Sequence, residues 1–76
     1  MSDHINTRRK LQEIPLVSDF EQVLDQCTLS DEDKEIIRLH YIQRKDFRWI
    51  GDRLGYAEKT IKDRHRVALR KISYAL

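Results

Sequence analysis

Between residues 46 and 72 the chain carries two helical apolar periods of unequal length on either side of a single glycine, and few folds accommodate that arrangement. Asp46 is a good N-cap, since its carboxylate accepts from the free N–H groups of a first helical turn. Phe47, Ile50 and Leu54 follow at i, i+3, i+7 as the inward stripe of a two-turn helix. Gly51 falls on the same side, where the missing side chain lets a neighbouring helix come close. Gly55 stands just past that helix, where the backbone takes positive φ and glycine does so without steric cost. Beyond it Ala57, a poor cap, opens a longer helix in which Ile61, His65, Ala68 and Ile72 recur at i, i+4, i+7, i+11, with Leu69 beside them. A short helix, a glycine turn and a longer helix is the layout of a helix-turn-helix.

The upstream sequence continues the helical theme. Ser18-Asp-Phe-Glu21 predicts a capping box, opening a helix over about 19–27 on the stripe Phe20, Val23, Leu24 and Cys27. Ser30 predicts the next N-cap, with Asp31, Glu32 and Asp33 in the first turn, where the helix dipole favours anions. Ile36, Ile37, Leu39, His40, Tyr41 and Ile42 give that helix a broad buried side. Residues 1–15 are weakly patterned, with only Ile5, Leu11 and Ile14 as an apolar face and Pro15 as a terminator. Residues 1–17 therefore form an N-terminal arm or short helix, and residues 18–76 the helix-turn-helix domain. With no strand-like alternation, repeat or low-complexity tract, the expected fold is all-α, a four- to five-helix bundle.

A 76-residue chain makes one small domain and buries only roughly 60% of its unfolded surface, leaving little room for an enzyme pocket. Its single Cys27 rules out an internal disulfide and suits a reducing cytosol. The N-terminal residues form no apolar signal core, and no apolar run approaches the ~20 residues that span a bilayer. The expectation is a cytoplasmic, nucleoid-associated protein with no membrane partner. His4, His40, His65 and Cys27 lack the two-to-five-residue spacing typical of zinc ligands, so no metal or other cofactor is expected. His65 fits a helix-packing residue and His40 a boundary residue. No Ser/His/Asp constellation is present and the carboxylates cluster at cap positions, so no catalytic residue is assigned and the chain is read as a non-enzyme.

The formal charge of +2 conceals a strong polarity. Residues 18–36 carry one lysine against seven carboxylates, whereas residues 37–76 carry eleven Lys and Arg against four carboxylates. Such a molecule orients in the field of a polyanion with its acidic pole turned away. With Ile61, His65, Ala68 and Ile72 facing the core, ~100° per residue turns Lys59, Lys62, Asp63, Arg66 and Arg70 outward. Glu58, Lys59 and Thr60 lie at the end that a recognition helix inserts deepest. Lys59 and Lys62 are suited to guanine acceptors, Thr60 to a base edge or phosphate, and Asp63 to cytosine N4. Arg64, Arg66, Arg70 and Lys71 suit phosphates, which position a helix without reading sequence. Arg44, Lys45 and Arg48 add phosphate contacts near the start of the preceding helix. Arg8, Arg9 and Lys10 read as a solvated terminus or a flexible arm. One module of this kind buries only ~600–1,000 Å² on DNA, so affinity is expected to come from a homodimer or from a larger DNA-bound machine.

Phe20 to Ile72 resembles region 4 of bacterial sigma-70-type transcription factors. Phe20-Glu-Gln-Val-Leu-Asp-Gln with Leu29-Ser-Asp-Glu-Asp-Lys-Glu-Ile-Ile-Arg-Leu-His-Tyr41 is similar to its first helical pair, and Trp49-Ile-Gly-Asp-Arg-Leu-Gly55 to its Glu-Ile-Gly/Ala-x-x-Leu-Gly supporting helix. Thr60-Ile-Lys-Asp-Arg64, Ala68 and Arg70-Lys71-Ile72 resemble its recognition helix. The resemblance implies promoter −35 reading by Glu58, Lys59, Thr60, Lys62 and Asp63, and docking on the flap of the RNA polymerase β subunit. Ala57 stands where the family has Ser, and Trp49 where it commonly has Glu. Nothing resembles the region that melts the −10 element, so the expectation is a stand-alone regulator of bacterial, phage or mobile-element type. Ala57-Glu-Lys-Thr-Ile-Lys62 also resembles the LuxR/GerE group, but that group adds a fourth helix after the recognition helix, and the capped helix before residue 29 fits region 4. Two other functions suit the same fold: an adaptor binding RNA polymerase or a sigma factor, and a phage DNA-packaging recognition protein.

Overall fold

The computed structural model describes residues 3–74, with side chains from residue 6 onward. His4 and Ile5 therefore fall outside the described side chains. Five helices follow one another: α1 (Asp3–Glu13), α2 (Val17–Asp25), α3 (Asp31–Tyr41), α4 (Phe47–Leu54) and α5 (Glu58–Ser73). No strand occurs among the described residues. The fold is the expected all-α bundle, in its five-helix form.

Side-chain caps explain where two of these helices begin. Ser30 is the N-cap of α3, its hydroxyl accepting from the Asp33 N–H at 3.1 Å. Asp46 caps α4 by accepting from the Trp49 N–H at 2.7 Å. Ala57 precedes α5 and offers no side-chain cap. The capping box expected at Ser18 is absent. Helix α2 starts at Val17, directly after the extended Leu16 that follows Pro15, and so places Ser18 inside the first turn. Glu21 turns away from the backbone because a stronger partner is in reach: it accepts from Arg38 Nε and Nη2, each at 2.7 Å. This bidentate pair ties α2 to α3, and it holds the Glu21 carboxyl below its ordinary value.

Helix α5 is the common wall of two buried clusters. Ala68, Leu69 and Ile72 join Leu11, Phe20, Leu24 and Ile37 in the first. Ile61 joins Ile36, Leu39 and Ile50 in the second, with Phe47 and Leu54 packed on its edge. The inward row Ile61, His65, Ala68, Leu69 and Ile72 is buried throughout, as its spacing predicts. Helix α1, weakly marked in the sequence, packs on α5 and supplies buried Leu11.

Between the clusters, His40, Tyr41, Phe47 and His65 stack together. His40 lies over Phe47 with ring centroids 4.3 Å apart, and Tyr41 stacks on His65 at 5.6 Å. Burial pushes the Tyr41 phenol up to about 12, against the pull of the Arg8 guanidinium. Its hydroxyl shares a hydrogen bond with His65 Nε2 at 2.7 Å, which satisfies a polar group in a largely apolar interior. His40 Nδ1–H donates to the Lys45 carbonyl at 2.8 Å and fixes the connection between α3 and α4.

The turn between α4 and α5 depends on two glycines for different reasons. Gly55 adopts φ +85°, and a Cβ there would meet nothing within 4 Å. At Gly51 a Cβ would lie 2.5 Å from the Tyr56 carbonyl oxygen, because the turn leading into α5 crosses directly over it. The Gly51 carbonyl accepts from the N–H groups of both Gly55 and Tyr56, each at 2.8 Å. Gly55→Ala is accordingly expected to cost about 1 kcal/mol, from backbone strain alone. Gly51→Ala is expected to cost about 2 kcal/mol or more, because a backbone carbonyl must move. Urea melts of the two variants compare these costs, and equal losses would contradict the close approach at Gly51.

Candidate nucleic-acid interface

Helix α5 separates its residues sharply. Opposite its buried row, Glu58, Lys59, Thr60, Lys62, Asp63, Arg66 and Arg70 are all exposed, on one 16-residue helix. The structure thus places together seven of the residues that the sequence nominates. Two ion pairs lie along this surface. Lys62 Nζ stands 3.1 Å from Glu58, one helical turn away, and Arg66 stands 2.9 Å from Asp63. Both pairs are exposed, so each contributes only ~0–1 kcal/mol and opens at little cost when a stronger anion arrives. Lys59 and Arg70 make no ion pair among the described residues.

Lys45 and Arg48 flank the start of α4. Arg48 is exposed, while half-buried Lys45 lays its ammonium 4.8 Å from the centre of the Trp49 ring. This cation–π contact holds the lysine against an indole that is 40% exposed. Trp49 and Lys45 together form a ledge beside the α4 cap.

Arg64, nominated for phosphates, is held here by carboxylates of α3. It lies on the flank of α5 that faces α3, where the crowded first-turn carboxylates meet it. Its guanidinium hydrogen-bonds Glu32 through Nη1 and stands 2.8 Å from Asp33 through Nη2. Tyr56 completes the group: its hydroxyl donates to Glu32 at 2.7 Å, and its ring lies 5.3 Å from the Arg64 guanidinium carbon. The Arg64 and Tyr56 hydrogen bonds hold the Glu32 carboxyl below its ordinary value, and the same partner raises Arg64 further. The sequence shows acids at the start of α3 and an arginine on α5, but the pairing spans 32 residues and only the fold brings it together. Its effect is to fasten the α4–α5 turn, through Tyr56, and the flank of α5 onto α3.

An exposed, cation-rich helix face beside a glycine turn is the geometry of a nucleic-acid-reading motif. A family model for sigma-70, region 4 matches residues 27–73, more than half of the chain. The chain belongs to the sigma-70 region 4 family. The matched segment takes in α3, α4 and α5 and leaves α1 and α2 outside. Comparison with curated proteins and with solved structures gave no match. Sigma region 4 is a helix-turn-helix DNA-binding domain of transcription, and such domains bind DNA and RNA polymerase. In this region 4 domain, no group of His, Cys, Asp and Glu among the described residues could hold a metal ion, and no described helix is long and apolar enough to cross a membrane.

The carboxylates held low by their arginines set a pH dependence. Their contribution to stability is fully present above the ordinary carboxyl value of 4.5 and is lost as pH falls through the lower folded-state values. In acid melts the wild type is expected to lose stability steadily below pH 4.5. The double variant Glu21→Gln with Glu32→Gln starts lower and falls less steeply. Parallel acid limbs in the two proteins would show that these bridges contribute nothing.

Proposed function

We propose that this protein is a sequence-specific DNA-binding transcriptional regulator that reads the major groove with α5. The observation that carries this reading is the division of α5 into a wholly buried row and an exposed polar row at its N-terminal half. Residues 58–66 enter the groove, where Lys59 and Lys62 donate to guanine, Asp63 accepts from cytosine N4 and Glu58 and Thr60 face neighbouring edges. Arg66, Arg70, Lys45 and Arg48 hold phosphates on either side. Arg64 is assigned instead to holding α5 on α3. Because Ala57 leaves the first N–H groups of α5 without a side-chain acceptor, a backbone phosphate fits that position as well. Residues 18–76 form the reading unit and residues 1–17 support it through α1. The protein works without a cofactor or a catalytic step, in the cytoplasm at the nucleoid, as a homodimer or on RNA polymerase.

The exposed Trp49 supports a second reading, an adaptor that binds RNA polymerase or a sigma factor through the α4 ledge. The two readings separate cleanly. For a DNA reader, Lys62→Ala with Arg66→Ala abolishes gel-shift binding and leaves polymerase capture intact. An adaptor instead keeps its gel shift, if any, and loses polymerase capture in Trp49→Ala.

The division between base and phosphate contacts gives a further expected outcome. Lys59→Ala relaxes base preference at one or two positions of a selected duplex. Arg70→Ala weakens all sequences alike and lowers the slope of log K against log[salt] by about one. Binding curves on matched and mismatched duplexes across a salt series measure both, and identical behaviour of the two variants would refute the assignment.

A further inference from the structure

One concavity of the molecule lies away from the outward row of α5. It encloses about 460 Å³ where α1, the end of α3 and the α3–α4 connection meet, and it is lined by Arg8, Gln12, His40, Tyr41, Arg44, Lys45 and Asp46. That volume falls within the range of small-ligand sites. Three cations from two separate parts of the chain line it against one carboxylate, and that carboxylate is already engaged in capping α4. The half-buried arginines elsewhere, Arg38 and Arg64, are neutralised by Glu21, Glu32 and Asp33. Among the described residues, neither Arg8, Arg44 nor Lys45 has such a carboxylate partner.

Parts of the walls are tied to the fold. Arg8 lies close enough to the buried Tyr41 phenol to act on its ionisation, and that phenol is itself anchored on His65. Lys45 is fixed at its carbonyl by His40 and at its ammonium by Trp49. Arg44 occupies the left-handed region at φ 58°, rarely adopted by a residue with a side chain, and from there it lines the cavity. Two exposed guanidinium forks and a lysine lining one concavity suit the oxygens of a phosphate, which Arg binds in a bidentate manner.

We propose that this cavity is a phosphate-binding site, formed by Arg8, Arg44 and Lys45 with a donor from Gln12 on its wall. The phosphate belongs either to a small phosphorylated molecule or to the backbone of a bound duplex. The first source is independent of the groove-reading proposal and the second rests on it.

The test begins with DNA-free protein titrated with inorganic pyrophosphate at fixed ionic strength, followed by the ring resonances of His40 and Tyr41. Saturable binding is expected, weakened at least tenfold in Arg8→Gln and in Arg44→Gly, while Arg53→Gln, outside the cavity, changes it little. Glycine at 44 keeps the backbone conformation accessible, and melting curves confirm folding of each variant. If pyrophosphate does not bind but Arg8→Gln and Arg44→Gly each lower the salt slope of duplex binding by about one, the site holds a backbone phosphate. The Lys62→Ala, Arg66→Ala protein reports separately on the groove face. The site is overturned if the cavity variants alter neither measurement, or if Arg53→Gln weakens pyrophosphate binding as much as they do.

Discussion

One helix carries the molecule. Each of the two buried clusters is closed on one side by α5, whose inward row runs from Ile61 to Ile72 without an exposed member. A chain this short has too little interior to stabilise a helix with one face merely resting on a sheet or a neighbour. Here α1, α3 and α4 all pack on the same helix, so the surface proposed to meet DNA is also the back of the core. Its orientation is set by packing, which is stiffer than any loop.

Electrostatics adds a second layer. The acidic segment of the chain does not simply face solvent. Glu21 binds Arg38, Asp25 binds Lys34, and Glu32 and Asp33 bind Arg64, so that four of its seven carboxylates cross-link helices. These partly exposed bridges add modest stability, but they draw specific arginines out of the cationic surface. The cations left outward include those of the α5 row, the α4 start and the cavity beside α1. Sorting arginines in this way gives the molecule cationic surfaces with defined edges.

Much of this was legible in the sequence, because the α3–α5 segment obeys local rules. Ser30 and Asp46 cap as their chemistry requires, Gly55 takes positive φ, and the α5 period gives its buried row residue by residue. The departures come from tertiary competition. Glu21 had a local use at a helix start and a stronger one in Arg38, two charge-assisted bonds away across the α2–α3 contact. Arg64 sits at a helical angle between core and solvent, and only the position of α3 decides which way its long side chain turns. Helix α1 was faint because a helix contributing Leu11 to a core built by others needs little apolar periodicity of its own. Gly51 showed as a close approach, but the neighbour proved to be the turn backbone and not a helix flank.

The pairs Lys62–Glu58 and Arg66–Asp63 have a consequence for selectivity. Negative groups set among the lysines temper the pull of this helix on polyanions in general, since any phosphate that settles there meets repulsion beside its attraction. Only a partner offering hydrogen to those two carboxylates, while accepting from their released cations, escapes the penalty. Discrimination on this face would then come as much from what it turns away as from what it holds, and loose, indiscriminate adhesion to chromosomal DNA would be brief.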